Sequence, residues 1–275
     1  MEQNTADALK ITQVLIPRIE RILDYEIMDK YSEQIIKFKE IHKGERCFII
    51  GTGPSLAKTN MDFLIDEFTF SLNKISLIYN KTIWRPTYFF VVADIWKNDE
   101  TRFGDDVIFN SDLGICSFVN KKCITEEDYE LKDDFLKREN IYYIDCHGTS
   151  SQEELSDNHW SYDIADTTTK FGSSILALIQ TAVYMGFNEI FLLGCDLGYR
   201  NIPEKGKDVN HFCEEYNFTY PNSSMYNIPM VRCHDLAKKK CEEAGVKIYN
   251  ATVGGFVETY ERVDFNSLFQ GGHNA

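Results

Sequence analysis

The sequence predicts an α/β fold built on a largely parallel sheet. Three observations carry this reading. The apolar run Cys47-Phe48-Ile49-Ile50 ends in Gly51-Thr52-Gly53-Pro54-Ser55, as a buried parallel strand does on entering a tight glycine turn. Short apolar runs alternate with helical segments. Several of those runs stop at a polar residue: Asn73, Asp94, Asp196 and Asn250 each follow one. In a parallel sheet the carboxyl ends of the strands share one edge, and ligands bind outside that edge.

Taken in order, residues 8–42 read as helical, because Leu9, Ile11, Val14, Leu15, Ile19, Ile22, Leu23 and Ile27 recur at helical spacing with charges between them. Pro17 breaks or kinks this stretch. The expected organisation is a helical N-terminal extension over 1–42 and a core domain over 43–275. The extension packs on the core or serves self-association. In the core, a strand at 47–50 leads to a short helix at 61–65. Strands at 68–72 and 88–93 end at Asn73 and Asp94, and shorter ones fall at 107–109, 114–119 and 141–144. Residues 148–169 are polar, rich in Ser and Thr and without a period, so they read as a long loop of the kind that often forms a lid. A strong helix at 174–185 closes at Gly186, a C′ glycine. A buried strand at 189–193 runs into Gly194-Cys195-Asp196. Residues 198–229 are again loop-like and hold His211 and Tyr216. A last helix at 233–244 closes at Gly245, and a strand at 246–249 reaches Asn250-Ala251-Thr252. No internal repeat is visible.

The chain has 275 residues and a formal net charge of −14. That length suits one large α/β domain with extensions. The acidic balance argues against nucleic acid or an anionic membrane as a partner of the whole surface, since both favour fields of Lys and Arg. It leaves room for a nucleotide in a local pocket. The eight cysteines form no C-x-x-C pair, and in apolar runs a reduced Cys behaves as a small hydrophobe. No secretory signal and no apolar run of transmembrane length is seen, so a reduced, cytoplasmic protein is expected.

The glycine turn is the main candidate for chemistry. Gly51 and Gly53 have no side chain to block a ligand, Pro54 suits the first turn of a short helix, and Ser55 adds a hydroxyl donor. Thr52 lies between them. Such a turn presents backbone N–H groups to an anion, yet it departs from both the G-x-G-x-x-G and Walker patterns. A polar residue after one strand is ordinary. Five strand ends of this kind, at Gly51-Thr52, Asn73, Asp94, Gly194-Cys195-Asp196 and Asn250, together with the glycine turn, point to a nucleotide pocket. In Lys170-Phe171-Gly172-Ser173-Ser174 a serine can cap the following helix, and the same geometry points N–H groups and hydroxyls at an anion. His211 can move protons at neutral pH, although its spacing alone is that of an ordinary loop histidine. His147, His159 and His234 have no better local case. The His and Cys spacings match no common zinc site, and no G-x-S-x-G elbow is present.

The combination Gly51-Thr52-Gly53-Pro54-Ser55-Leu56, Asn73, Trp84-Arg85-Pro86-Thr87-Tyr88 and Asp94 resembles the family named for the archaeal 6-hydroxymethylpterin pyrophosphokinase (MptE-like). The same holds for residues 180–187 leading to Leu193-Gly194-Cys195-Asp196, for Asn210-His211-Phe212 with Tyr216, and for residues 250–255 through Arg262-Val263-Asp264 to Leu268-Phe269. The chain is also similar to bacterial sialyltransferases that carry a G-N-G-P-S-L turn. Thr52 stands at the turn Asn of those enzymes, and no Arg precedes Gly172. The resemblance covers roughly residues 43–269. It implies a Rossmann-like, mostly parallel sheet with helices on both faces. It also implies that Gly51 to Ser55 and Asn73 hold the nucleotide, with Ser173, Ser174, Gly194 and Asp196 as a second contact region, a histidine base and tyrosines near the sugar phosphate, and no metal.

The leading expectation is therefore a glycosyltransferase. It uses a nucleotide-activated sugar of the CMP-nonulosonate type and extends a surface glycan. His211 and Tyr216 are its catalytic candidates. Gly51, Thr52, Gly53, Pro54, Ser55, Asn73, Asp94, Gly172, Ser173, Ser174, Gly194 and Asp196 seat the nucleotide. No cofactor is expected, and the lack of a D-x-D element suits a metal-free mechanism. The alternative is a pyrophosphokinase using ATP and Mg²⁺, with Asp94 and Asp196 on the ion. A third reading is a non-catalytic nucleotide-binding scaffold that uses its N-terminal helices to join a glycan-assembly complex, and the same helices are candidates for homo-oligomer formation.

Overall fold

The computed structural model describes residues 32–92, 115–120, 139–148, 155–203, 206–217 and 221–270. Asp94, the expected strand at 107–109 and most of the N-terminal extension lie outside them. The strands in chain order are β1 (Arg46–Ile50), β2 (Phe68–Leu72), β3 (Tyr88–Val91), β4 (Cys116–Asn120), β5 (Ile141–Ile144), β6 (Cys146–His147), β7 (Thr168–Thr169), β8 (Glu189–Leu193), β9 (Lys247–Asn250) and β10 (Glu261–Arg262). Among the described residues the main sheet has eight strands, in the order β10-β9-β8-β1-β2-β3-β4-β5. Each neighbouring pair is parallel. From β1 the chain steps outward through β2 to β5, then returns to the other side of β1 as β8. The order reverses between β1 and β8, in register Cys47 with Ile190 through Ile50 with Leu193.

The strand sequences explain the layers. Alternate side chains point to opposite faces. Cys47, Ile49, Phe90, Ile190 and Leu192 join one buried cluster, and Phe48, Ile50, Phe89, Phe191 and Leu193 join another. Both faces are covered, so the strands read as continuous apolar runs rather than alternating ones. Burying a side chain of this size contributes about 1.5–3 kcal/mol.

Helical segments cover both faces. On the first lie α1 (Ile175–Tyr184) and α2 (Asn227–Glu243). On the second, short 3₁₀ turns contribute Leu56, Met61, Leu64, Ile75 and Ile78. Both α-helices end as the sequence predicts. Gly186 and Gly245 take positive φ. After α1, the Gly186 N–H bonds to Val183 O and the Phe187 N–H to Ala182 O. After α2, Gly245 and Val246 repeat the pattern on Glu242 and Cys241. This double closure satisfies carbonyls that a helix end otherwise leaves without partners.

Two expectations need revision. Helix α2 begins at Asn227 rather than near residue 233. Pro229 sits in its first turn, where a missing N–H costs nothing. Residues 155–169 are not structureless. They carry a 3₁₀ turn at Asp157–His159 with a Ser156/His159 capping box, and β7 pairs with β6. They are also tied down. Gln180 on α1 accepts from Ser161 N–H and donates to Thr169 O, each at 2.9 Å. Lys239 and Lys240 on α2 hold Asp157. Residues 32–36 are helical, and Ile35 and Phe38 are buried in the core.

Candidate functional site

At the β1–β8 junction two chain turns lie against each other. The Gly51 N–H donates to Leu193 O at 2.7 Å and the Gly53 N–H to Gly194 O at 2.8 Å. A Cβ on Gly51 would sit 2.5 Å from Gly194 O, and one on Gly53 would collide with the Asp196 carboxylate. The glycines are needed because a neighbouring chain passes there, as well as for access by a ligand.

The turn is also less open to anions than its sequence implies. The Asp196 carboxylate accepts the Ser55 N–H at 3.0 Å and the Ser55 hydroxyl at 2.7 Å. A protein carboxylate thus occupies the start of the 3₁₀ helix Pro54–Lys58, where a phosphate was expected. Burial raises the pKa of Asp196, and the Ser55 hydrogen bonds pull it back. Ser55 is buried and turned to Asp196. Its hydroxyl, expected to donate to a ligand, here donates to this carboxylate.

In front of the turn opens a cavity of about 700 Å³. Gly51, Thr52, Gly53, Pro54, Asn73, Gly194 and Asp196 line it. So do Gly172, Ser173 and Ser174, at the start of α1. His211 and Tyr216 line it as well. The structure therefore brings the sequence-predicted residues together around one space, apart from Ser55 and the undescribed Asp94. Asn250 is not among the lining residues. Its side chain bonds to Val257 O and the Thr252 N–H, so it is a structural strand cap.

His211 is not a solvent loop histidine. It is 7% exposed. Its Nδ1 lies 2.9 Å from Asp208 Oδ2 and 3.0 Å from Oδ1. A carboxylate only accepts, so Nδ1 carries the proton and the neutral ring's lone pair is on Nε2. The ring stacks on Tyr216 with centroids 3.8 Å apart and planes 4° from parallel. Thr52 Oγ1 donates to the Tyr216 hydroxyl at 3.4 Å, and the side chain of Asn73 bonds to it as well. Burial raises the phenol pKa to about 12, against the pull of these bonds. Asn73 reaches this position through a left-handed backbone, φ +56, which Asn tolerates better than most residues. The Phe212 N–H donates to Thr52 O at 3.1 Å, which fastens the histidine loop to the glycine turn.

Sequence reading missed Asp208 and Tyr199. Asp208 stands three residues before His211, a local spacing that could have marked the pair. Tyr199 lines the cavity, and burial pushes its phenol well above the usual range. It lies edge-on to His211 at 5.9 Å, across ten and more residues that no local pattern connects. Asn227 holds the Tyr199 backbone through both its N–H and its carbonyl. Lys170 also lines the cavity and donates to Val92 O at the end of β3. Cys195 is buried, and its thiol is pushed to about 12 by that burial, so it is no thiolate nucleophile. Among the described residues no group of three or more His, Cys, Asp and Glu could hold a metal ion. Among them, too, no helix is long and apolar enough to cross a membrane.

No protein-family model matches the chain, and no curated protein matches it. Among solved structures it is similar to the MAf glycosyltransferase from Magnetospirillum magneticum AMB-1, with 16% identity and a TM-score of 0.45 over 87% of this chain. The chain spans 39% of the length of that structure. It is also similar to the sialyltransferase CstII from Campylobacter jejuni, solved in complex with a substrate analogue, cytidine-5′-monophosphate. That likeness has 12% identity and a TM-score of 0.43, over 80% of this chain and 85% of the other. At these identities and TM-scores neither structure transfers the chemistry of its site to this chain.

Proposed function

We propose that the protein is a glycosyltransferase that uses a nucleotide-activated sugar, of the CMP-nonulosonate type, in surface-glycan synthesis. The observation that carries this reading is the buried Asp208–His211 pair, stacked on Tyr216 and opening into the same cavity as the glycine turn. Glycosyl transfer needs a base for the acceptor hydroxyl and a donor for the leaving phosphate. His211 Nε2 takes the acceptor proton, and the Asp208 carboxylate stabilises the imidazolium that forms. The acceptor oxygen bonds to the anomeric carbon as the bond from that carbon to the phosphate oxygen breaks. The bonding pair leaves with the nucleotide. With its pKa near 12 the Tyr216 phenol stays protonated at neutral pH, so it can donate to the departing phosphate. Its oxygen already accepts from Thr52, which directs its own O–H elsewhere.

Asp196 bears on where the phosphate lies. Because its carboxylate fills the turn beside Ser55, the phosphate is better seated elsewhere in the cavity. There the start of α1, Ser173, Ser174 and Lys170 offer positive potential and donors. The same contact weighs against the pyrophosphokinase alternative, since both Asp196 oxygens already accept from Ser55 and are poorly disposed to hold Mg²⁺. The reading includes no resident cofactor and a cytoplasmic location.

A thermal-shift panel of CMP, CDP, UDP, GDP and ATP, each with and without Mg²⁺, tests the proposal. A ligand at a hundred times its Kd stabilises by about 2.7 kcal/mol. The expected result is a rise in midpoint with CMP that does not require metal. A rise only with ATP and Mg²⁺ would overturn it in favour of the kinase. Retained transfer activity in His211→Ala would overturn the role of the histidine.

A further inference from the structure

Beside the main cavity lies a smaller one of about 280 Å³, and the two share Leu197, His234 and Phe256 in their walls. Its other walls include Asp235, Glu258 and Thr259. Phe256 is 67% exposed, and a lone exposed aromatic would mean little. This one is held. Its backbone N–H donates to Asp196 O at 2.7 Å. Its ring rests against Gly198, where a Cβ would lie 2.7 Å from Cε2. The turn that carries it is strapped by Arg262, whose guanidinium donates to Gly254 O at 2.7 Å, Gly255 O at 3.1 Å and Val257 O at 3.3 Å. The same guanidinium pairs with Glu258 at 2.6 Å. An apolar ring is thus presented to solvent on a rigid loop, next to a cavity.

The chemistry of the walls sorts possible guests. The ring face offers an apolar, electron-rich surface. Asp235 and Glu258 supply carboxylate oxygens that only accept, and Thr259 steadies Asp235 through a hydroxyl at 3.0 Å. Glu258 is matched by Arg262, and the Asp235 carboxylate disfavours an anionic nucleotide here. A pyranose fits both demands, because its C–H face packs on the ring while its hydroxyls donate to the carboxylates. His234 forms part of the dividing wall. Its Nδ1 is 3.0 Å from the Tyr260 hydroxyl, and that hydroxyl donates to His234 O at 3.1 Å.

We propose that this annex, floored by Phe256 and edged by Asp235 and Glu258, binds a pyranose ring of the acceptor glycan. The proposal rests on the glycosyltransferase reading for the word acceptor, and on the annex alone for the sugar. The fixed aromatic platform lowers the ordering cost of binding. The two cavities share walls, so an acceptor held in the annex can send a hydroxyl toward His211.

Saturation-transfer NMR on the full chain tests it with three probes: methyl glucoside, methyl galactoside and methyl N-acetylglucosaminide, all pyranosides. The expected result is transfer to at least one probe, cut threefold or more by Phe256→Ala, retained in Phe256→Trp and unchanged when CMP is added. Asp235→Asn, an exposed substitution, is expected to weaken the same signal and serves if Phe256→Ala does not fold. No transfer to any probe would overturn the proposal, as would full transfer in a folded Phe256→Ala or displacement of the sugar by CMP. The nucleotide panel separates the two failures. CMP stabilisation without sugar transfer removes the annex and leaves the transferase. Sugar transfer without stabilisation by any nucleotide keeps the annex as a sugar site and removes the transferase.

Discussion

His211 and Tyr216 lie face to face, 3.8 Å between ring centroids, with Asp208 on the far nitrogen of the imidazole. One side of the histidine is thus set by charge and one by packing. The arrangement explains why a histidine in a loop without regular structure can hold one orientation. It also makes Asp208 a positioning residue. Asp208→Asn removes the charge that favours the imidazolium and permits the wrong tautomer. We expect transfer to fall by a part of the roughly 10²–10⁴-fold that a general base contributes. The acidic limb of the kcat profile should shift while CMP affinity stays the same. A variant with an unchanged pH profile would show that Asp208 only supports the loop.

The contact between Ser55 and Asp196 leads to a stability prediction. Ser55→Ala strips a half-buried carboxylate of its hydroxyl donor and leaves it the Ser55 backbone N–H. We expect a loss of about 0.5–1.5 kcal/mol, the net worth of a typical hydrogen bond. Urea unfolding measures it. An unchanged midpoint would mean that water replaces the hydroxyl.

Glycines here serve two different purposes, and alanine distinguishes them. Gly53→Ala would press a methyl group into Asp196 and within 2.7 Å of Gly194 O. Overpacking of this kind costs about 1–3 kcal/mol, and rigid backbone on one side places it at the upper end. Gly245→Ala meets no atom within 4 Å but keeps φ at +73. Its cost is conformational only, about 1–2 kcal/mol. Only the first should weaken CMP binding, which calorimetry can read.

His234 predicts a pH dependence. Burial lowers its pKa to about 4 from an ordinary 6.5. Between those values the unfolded chain takes up a proton that the folded chain refuses, so stability falls as pH drops from about 6.5 towards 4. The full span corresponds to about 3 kcal/mol at 1.36 kcal/mol per pH unit. His234→Gln should flatten the curve of unfolding free energy against pH in that window. An equally steep curve in the variant would place the acid sensitivity elsewhere.

Much of the fold was legible from sequence because it depends on local rules. The run at residues 47–50 could only be a strand covered on both sides, given apolar residues at successive positions. Gly186 and Gly245 marked helix ends because few other residues accept a left-handed backbone. The start of α2 escaped notice because Pro229 reads as a breaker, while in a first turn it is neutral. The order seen in residues 155–169 escaped notice for another reason: it comes from Gln180, Lys239 and Lys240 on distant helices.

By itself the sequence determined that short parallel strands would end along one edge, with the glycine turn and polar residues gathered there. Backbone preference and apolar periodicity are properties of neighbouring residues, so a linear reading can find them. Only the tertiary structure decided that Asp196 would fill the glycine turn, that Asn250 would be a strand cap, and that Tyr199 would stand beside His211. The first joins segments more than a hundred residues apart at the reversal of strand order between β1 and β8, and the other two join nearer residues that no helical or strand period relates, because burial and charge act through space rather than along the chain.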